Sequence, residues 1–407
     1  MVAGKGYRVI ETAAIDSFVE DVRNEVIRWR RHLHRNPELS FREKETSPFV
    51  YETLGSFDGL ELSRPTPTSV VAQLIGEKSG RTVALRADMD ALPITEENDF
   101  EFVSKNPGVM HACGHDGHTA MLLGTAKVLS GMKEEIRGEV RFLFQHAEEL
   151  YPGGAEEMVE AGVLDGVDAI IGIHLCSQSE VGKIGLVYGP MLAAPDTFEI
   201  VVKGTGGHAA MPHQSVDSIA VGAQVVTNLQ HVVSRNTDLL DNVVISATWF
   251  VGGTPHNIIP GSVEIEGTVR TLDEEVRKRM PNTIERIVKG IAEAHDASYE
   301  FAYQRGYRPV VNDEEVTRAI EETVREVFGD ASIEMMRPLM AGEDFSAYQQ
   351  ASPGAFFYVG AGNEEKGITY PHHHPRFMVD EDALENGIKM FVHATFRLLD
   401  TKTGGGV

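Results

Sequence analysis

Val140-Arg-Phe-Leu-Phe144-Gln-His-Ala-Glu148-Glu149 is a short apolar run that ends in two adjacent carboxylates. A run of this length bounded by polar residues reads as a buried strand. Similar runs stand at Val70–Ile75, Val83–Leu85 and Ala169–His174, and helical stretches separate them at Thr119–Met132 and Gly154–Ala161. Strands alternating with helices imply an α/β domain on a mostly parallel sheet. Ligands in such sheets gather at the carboxyl ends of the strands, where most of the charged motifs of this chain fall.

Outward from that core, Ile15–His34 reads as a helix with Ile15, Phe18, Val19, Val22, Val26, Trp29 and Leu33 on its buried face, stopped by Pro37. The style changes near Gly189-Pro190. A strand (Phe198–Lys203), a helix (Ser215–Ser234), two strands (Val243–Val251 and Ser262–Arg270), a helix (Glu274–Ala297) and a strand (Ser298–Tyr303) follow. That βαββαβ order is the split unit of a ferredoxin-like domain. Residues 310–407 return to the first style, with helices at Glu314–Phe328 and Glu381–Leu399 and a glycine-rich tail, Thr403–Val407. The expected organisation is a larger domain of residues 1–193 and 306–407 with an inserted domain of residues 194–305. Two domains also suit 407 residues, because one core stops growing near ~250–300 residues.

The net charge of −24 argues against a nucleic-acid partner. No stretch reaches the ~18 apolar residues of a membrane span, and the N-terminal MVAGKGYRVIETAAID lacks a signal-peptide pattern. A cytoplasmic enzyme is expected. Two cysteines, Cys113 and Cys176, are too few for a disulfide framework.

Cys113 lies in His111-Ala-Cys113-Gly-His115-Asp116-Gly-His118, a glycine-bearing loop dense in ligand-type side chains. Thiolate and imidazole suit zinc and its neighbours; a polar loop capping the next helix is the plainer alternative. In Glu148-Glu149 one carboxylate can hold a metal while the other accepts a proton. A solvated acidic turn is the alternative there. His174 ends the run Ala169–Ile173, where a histidine taken alone is more often structural than a ligand; His372-His373-His374 offers three imidazoles, among which spacing does not choose and for which an exposed run without a role is the alternative. Arg86-Ala-Asp88-Met-Asp90 follows another strand, where a carboxylate can orient a ligand histidine or simply form a turn.

Gly204-Thr-Gly206-Gly-His-Ala209 formally fits G-x-G-x-x-A, the signal of an NAD-dependent dehydrogenase. It opens a βαββαβ unit, however, and no acidic residue stands between Ile219 and Asn236 to meet a ribose. A metal-storage or peptide-binding protein is a second rival, and the paired Glu148-Glu149 speaks against it.

Together the motifs resemble the aminoacylase, hippurate hydrolase and indole-acetyl-amino-acid hydrolase family of metallopeptidases. The resemblance rests on His34-Arg-Asn-Pro-Glu-Leu-Ser, Arg86-Ala-Asp-Met-Asp-Ala-Leu-Pro, His111-Ala-Cys-Gly-His-Asp-Gly-His and Phe144-Gln-x-Ala-Glu-Glu. Gly207-His-Ala-Ala-x-Pro-His, Gly342-Glu-Asp-Phe and His373-x-Pro-x-Phe377 extend it. It implies hydrolysis of the amide bond of N-acyl-L-amino acids, or of short peptides with a free carboxylate. It implies one or two divalent ions per subunit, zinc first, with manganese, cobalt or nickel as alternatives. Cys113, His115, Glu149, His174 and His373 would be the ligands and Glu148 the general base. Asp88 would support the centre, His208 would assist at the substrate carbonyl, and Asn257 and Arg270 would hold the substrate carboxylate. The inserted domain would be a lid that also makes a homodimer or higher homo-oligomer. This chain departs from the family's pattern at His146, where proline is usual. It departs also at Arg86, where the more distant carboxypeptidase branch has a ligand histidine.

Overall fold

The computed structural model describes residues 12–401; the expectations for the extreme N-terminus and for Thr403–Val407 lie outside them. The chain divides into two compact units. The first takes in the chain up to Gly189, Val311–Arg337 and the chain from Ala347; the second is Pro190–Val310 with Pro338–Ser346. The last segment lies in the stretch expected to belong to the larger domain. It joins the second unit through backbone bonds, Leu339 N to the Met191 carbonyl and Ala193 N to the Ala341 carbonyl, both 2.9 Å.

The first unit contains α1 (Thr12–Arg35), α2 (Thr46–Gly55), β1 (Leu60–Ser63), β2 (Val70–Ile75), β3 (Lys78–Asp88), α3 (His115–Gly131), β4 (Arg137–Gln145), α4 (Ala155–Glu160), β5 (Ala169–Glu180) and β6 (Ile184–Leu186). Its sheet runs β1-β2-β4-β3-β5, then a strand from Gly354–Gly362, then β6, then a strand from Ile333–Met335. The central block of β4, β3, β5 and Gly354–Gly362 is parallel. The expectation of a mostly parallel sheet needs correcting, because β1, β2 and β4 pair antiparallel and β6 is antiparallel to Gly354–Gly362. The sheet is mixed, and short connections allow the antiparallel pairs at its side. Every residue of Gly354–Gly362 is buried, and this central strand was not among the strands expected for residues 310–407.

On α1, Ile15, Val19, Val22, Val26 and Leu33 are buried as their spacing requires, whereas Phe18 is 41% exposed at the stripe's edge. α1 and α3 pack together, and Asp382–Asp400, the last helix, packs on both. α3 begins at His115, earlier than its apolar pattern, because Gly114 at φ +101° makes a left-handed turn that starts the helix there.

The second unit contains β7 (Gly189–Leu192), β8 (Ala194–Lys203), β9 (Gly207–His208), α5 (Ser218–Arg235), β10 (Val243–Gly252), β11 (Ile258–Ile259), β12 (Ser262–Thr271), α6 (Glu274–Ala294) and β13 (Ser298–Gln304). After it come β14 (Val310–Asn312), α7 (Glu314–Val327), β15 (Ile333–Met335), α8 (Ser346–Gln349), β16 (Gly354–Gly362) and α9 (Asp382–Asp400). Its main sheet runs β10-β12-β8-β13, with every pairing antiparallel. α5 and α6 cover a core that includes Phe198, Val225, Ile265 and Ile284. The Gly204 loop therefore does not open a parallel βαβ unit, and the dinucleotide reading has no frame here.

Gly124 of α3 lies where the three helices pack closely. A Cβ there would come within 2.7 Å of Val26 Cγ2 and 2.8 Å of Ile388 Cδ1. Gly124→Ala gains about 1 kcal/mol of helix propensity and loses about 1–3 kcal/mol to overpacking. We expect a net loss of stability in urea unfolding.

Candidate metal centre

The parallel register gathers the motifs. Asp88 at the end of β3 lies opposite Gln145 at the end of β4; Arg86 lies opposite Gly172 in β5. Glu148-Glu149 and His174 therefore follow the same edge of the sheet as Asp88. α3 presents His115 from its first turn toward this edge, and the Pro371–Pro375 loop adds His373.

Cys113, His115 and His174 form one donor group, Cys113, Glu149 and His373 another, and His115, Glu148 and Glu149 a third. Within each, the donor atoms lie within 4.8 Å of one another. Cys113 Sγ is 3.4 Å from His174 Nε2. Glu149 Oε1 is 3.3 Å from His373 Nε2 and 3.9 Å from His115 Nε2.

The hydrogen bonds aim the imidazoles. His174 Nδ1 donates to the Leu175 carbonyl at 2.8 Å, and His115 Nδ1 donates to the Asp90 carbonyl at 2.9 Å. A carbonyl only accepts, so each Nδ1 carries the hydrogen and each Nε2 faces the cluster. The other ligand-type residues of the loop are used elsewhere. His118 donates from Nδ1 to Asp88 at 2.6 Å and accepts at Nε2 from the Leu175 amide at 2.8 Å. Asp116 accepts from Arg30 and His34, both at 2.8 Å. His111 is buried with no hydrogen-bond partner on either ring nitrogen among the described residues, and burial lowers its pKa to about 4.

The structure also separates the three consecutive histidines. His372 donates to the Leu175 carbonyl at 2.8 Å. His374 stacks on Tyr370 with centroids 4.3 Å apart. His373 alone of the three is grouped with Cys113 and Glu149, held by its amide bonding the Ala112 carbonyl at 2.8 Å and a left-handed φ of 65°. Such backbone in a residue with a Cβ is costly and collects at functional sites.

These residues fit a divalent metal. His115 Nε2 and Glu149 Oε1 are buried and lack hydrogen-bond partners among the described residues. Burial works against a charge on His115, yet Asp88, Asp90 and Glu149 outweigh it and push the imidazole up to about 10. Burial, then Glu149, Glu148 and Asp88, push the Cys113 thiol well above its usual value. A cation here would displace the His115 proton and stabilise the thiolate. Burial, with His118 and His372 nearby, keeps His174 neutral, its pKa well below the usual value, as a ligand must be.

Asp88 pairs with Arg86 Nη1 at 2.6 Å and with His118, while Asp90 holds His115. Arg86 also donates to Gln145 at 2.8 Å, so this arginine is part of the buried support. His146 fills its place through Glu157 at 2.9 Å and Thr66 at 3.4 Å. His208, Asn257 and Arg270 lie in the second unit. His208 is exposed, and the Ala209 amide bonds the Asn257 carbonyl at 3.1 Å. Arg270 is half-buried on β12 opposite Val244 and Pro195.

Residues 84–397 match peptidase family M20/M25/M40. An N-acyl-L-amino acid amidohydrolase of Geobacillus stearothermophilus is 68% identical over 301 residues, covering 74% of this chain and 81% of that protein. Thermostable carboxypeptidase 2 of Saccharolobus solfataricus is 44% identical over 373 residues, covering 91% and 94%. The solved structure of the Bacillus subtilis YXEP protein, described as a dinuclear metal binding peptidase from the M20 family, has a TM-score of 0.83 and 37% identity. It covers 94% of this chain and 100% of that one.

Behind the loop, Arg30, Asp116, His34 and Glu96 form a buried alternating chain of charges. Burial opposes the charge on His34, but Asp116 and Glu96 raise its pKa above the ordinary 6.5. Burial also opposes the charge on Asp116, and Arg30 and His34 hold its pKa far below 3.8. The His34 contribution to stability is full below 6.5 and is lost as pH rises through the folded value. The Asp116 contribution is full above 3.8 and is lost as pH falls through its own. Asp116→Asn should cost about 3–5 kcal/mol at pH ~6. That gap should narrow as pH rises past the folded pKa of His34; a gap independent of pH in urea unfolding would refute the pairing.

Proposed function

The chain belongs to peptidase family M20/M25/M40, and from that premise we propose that it is a metal-dependent amidohydrolase of N-acyl-L-amino acids or short peptides with a free C-terminal carboxylate. The observation that carries this reading is the pair of donor groups, Cys113/His115/His174 and Cys113/Glu149/His373, sharing one sulfur with Glu148 alongside. The relatives named amidohydrolase and carboxypeptidase support the substrate class.

In this reading Cys113, His115, Glu149, His174 and His373 hold one or two divalent ions. Thiolate with imidazole favours zinc, and manganese, cobalt and nickel fit the carboxylate and imidazole share of the set. Bound there, a metal supplies Lewis-acid polarisation of the scissile carbonyl and lowers the pKa of water to about 7. Glu148 takes the proton of the attacking water and returns it to the leaving amine. Asp90 fixes the His115 tautomer, and Asp88, through Arg86 and His118, fills the buried floor with paired charge. His208 assists at the carbonyl oxygen, and Asn257 and Arg270 hold the substrate carboxylate. The second unit is a ferredoxin-like lid whose closure excludes water.

β10 is an edge strand of that unit, and Trp249, Phe250 and Val251 on it are 52%, 42% and 46% exposed. An unpaired apolar edge favours pairing with a second chain, so we assign the homodimer contact to β10. Trp249→Arg should shift the protein to monomer in light scattering; an unchanged mass would move the contact elsewhere.

Free amine released from N-acetyl-methionine, hippurate and a dipeptide should stop on chelation and return with added divalent metal. Glu148→Ala should bind metal normally and turn over about 10²–10⁴-fold more slowly. Normal turnover in that variant, or release untouched by prolonged chelation, would sink the mechanism.

A further inference from the structure

Glu148 stands on backbone that is pinned on both sides by buried carboxylates far away in sequence. On one side the Ala147 amide donates to Glu43 Oε1 at 2.9 Å. On the other the Glu149 amide donates to Asp90 Oδ2 at 3.0 Å. Glu43 is fully buried. Its Oε1 also accepts from the Phe41 amide at 3.0 Å, and its Oε2 accepts from Thr68 Oγ1 at 3.0 Å. Asp90 Oδ2 is itself held by Ser40 Oγ at 2.6 Å. The loop after α1 thus supplies both holds, one directly through Glu43 and one through Ser40.

Ala147 has φ +51° and is buried. Left-handed backbone in a residue with a Cβ persists only where its surroundings enforce it, and the bond to Glu43 is the enforcing contact at its amide. With the amides before and after Glu148 both fixed, its side chain leaves the main chain in one direction. Glu43 belongs to none of the donor groups, so metal binding does not account for its burial.

We propose that Glu43 is a positioning residue for Glu148, its carboxylate gripping the Ala147 amide so that the neighbouring carboxyl stands where it can take a proton. This rests on the reading of Glu148 as general base. Reach matters here more than charge. Glu43→Gln keeps an oxygen for both amides and turns its nitrogen toward the Thr68 hydroxyl, which can accept. Glu43→Asp keeps the charge but withdraws the oxygens by one methylene.

The test uses these two variants in the full chain, with steady-state kinetics on the metal-loaded enzyme and amide hydrogen exchange on the metal-free protein. For Glu43→Asp the expected result is a kcat roughly hundredfold lower with KM and metal content unchanged. Exchange across Ala147–Glu149 should be about tenfold faster in that variant while other core peptides stay protected. Glu43→Gln should stay within about threefold of the parent in both readouts. Equal damage from both variants, or full activity and protection in Glu43→Asp, overturns the proposal. If Glu43→Asp does not fold, Thr68→Val should speed exchange at the same amides about threefold; unchanged exchange there also overturns it. A parent enzyme that hydrolyses none of the substrates would count against the reaction assigned above, and the exchange measurement would still decide the grip.

Discussion

Buried carboxylates that must each find a positive or hydrogen-bonding partner are the constraint on which this architecture depends. Asp88, Asp90 and Glu148 are 0%, 1% and 7% exposed at the ends of apolar strands, where an unpaired charge is prohibitively costly. Asp88 is met by Arg86 and His118, and Asp90 by Ser40, His115 and the Glu149 amide. Glu149 Oε1 and His115 Nε2 are left over after this pairing, and both face the same small volume as Cys113. The floor of the centre is thus charge-paired protein, and the demand for a cation is concentrated at its mouth. The buried chain Arg30–Asp116–His34–Glu96 repeats the same logic behind α3.

Much of this was legible in the sequence wherever the information is local. The helix α1, the strands β3, β4 and β5, and the βαββαβ order all follow from apolar spacing over a few residues. The mixed character of the sheet did not, because strand direction is decided by which strands pair, and pairing is a tertiary matter. β16 was missed although Gly354–Gly362 is an apolar run like those read as strands elsewhere; its three glycines weaken the strand signal. At the centre, residue type and motif pointed to Cys113, His115, Glu149, His174 and the histidine run. Backbone geometry then separated His373 from His372 and His374, which spacing could not do. Asp90 and Glu43 went without roles although both stand in or beside noticed motifs. Their partners lie 59 and 104 residues away, and a hydrogen bond over that separation leaves no periodic trace.

Three strained residues of the first unit fall at particular places. Phe41, Ala147 and His373 all carry positive φ without being glycine. Ala147 precedes Glu148, Phe41 shares Glu43 with it, and His373 belongs to a donor group. Each such residue costs of order 1–3 kcal/mol. Such strain is tolerated where rigid placement of a side chain matters, and each of the three is held at its amide, Phe41 and Ala147 donating to Glu43 Oε1 and His373 to the Ala112 carbonyl.

The central sheet also bears on how the chain is made. β5 pairs on one side with β3 and on the other with β16, which is separated from it by the whole of the second unit. While the ribosome is still adding residues before Gly354, β5 presents a bare edge whose first half is apolar. The second unit, with its own core and its own antiparallel sheet, is complete much sooner. Domains emerging during synthesis fold as units, and long-range parallel pairing is slow because its loop closure must come first. The nascent chain therefore carries an unfinished larger unit through a long interval of translation. In that interval β5 is the segment most in need of shielding by chaperones.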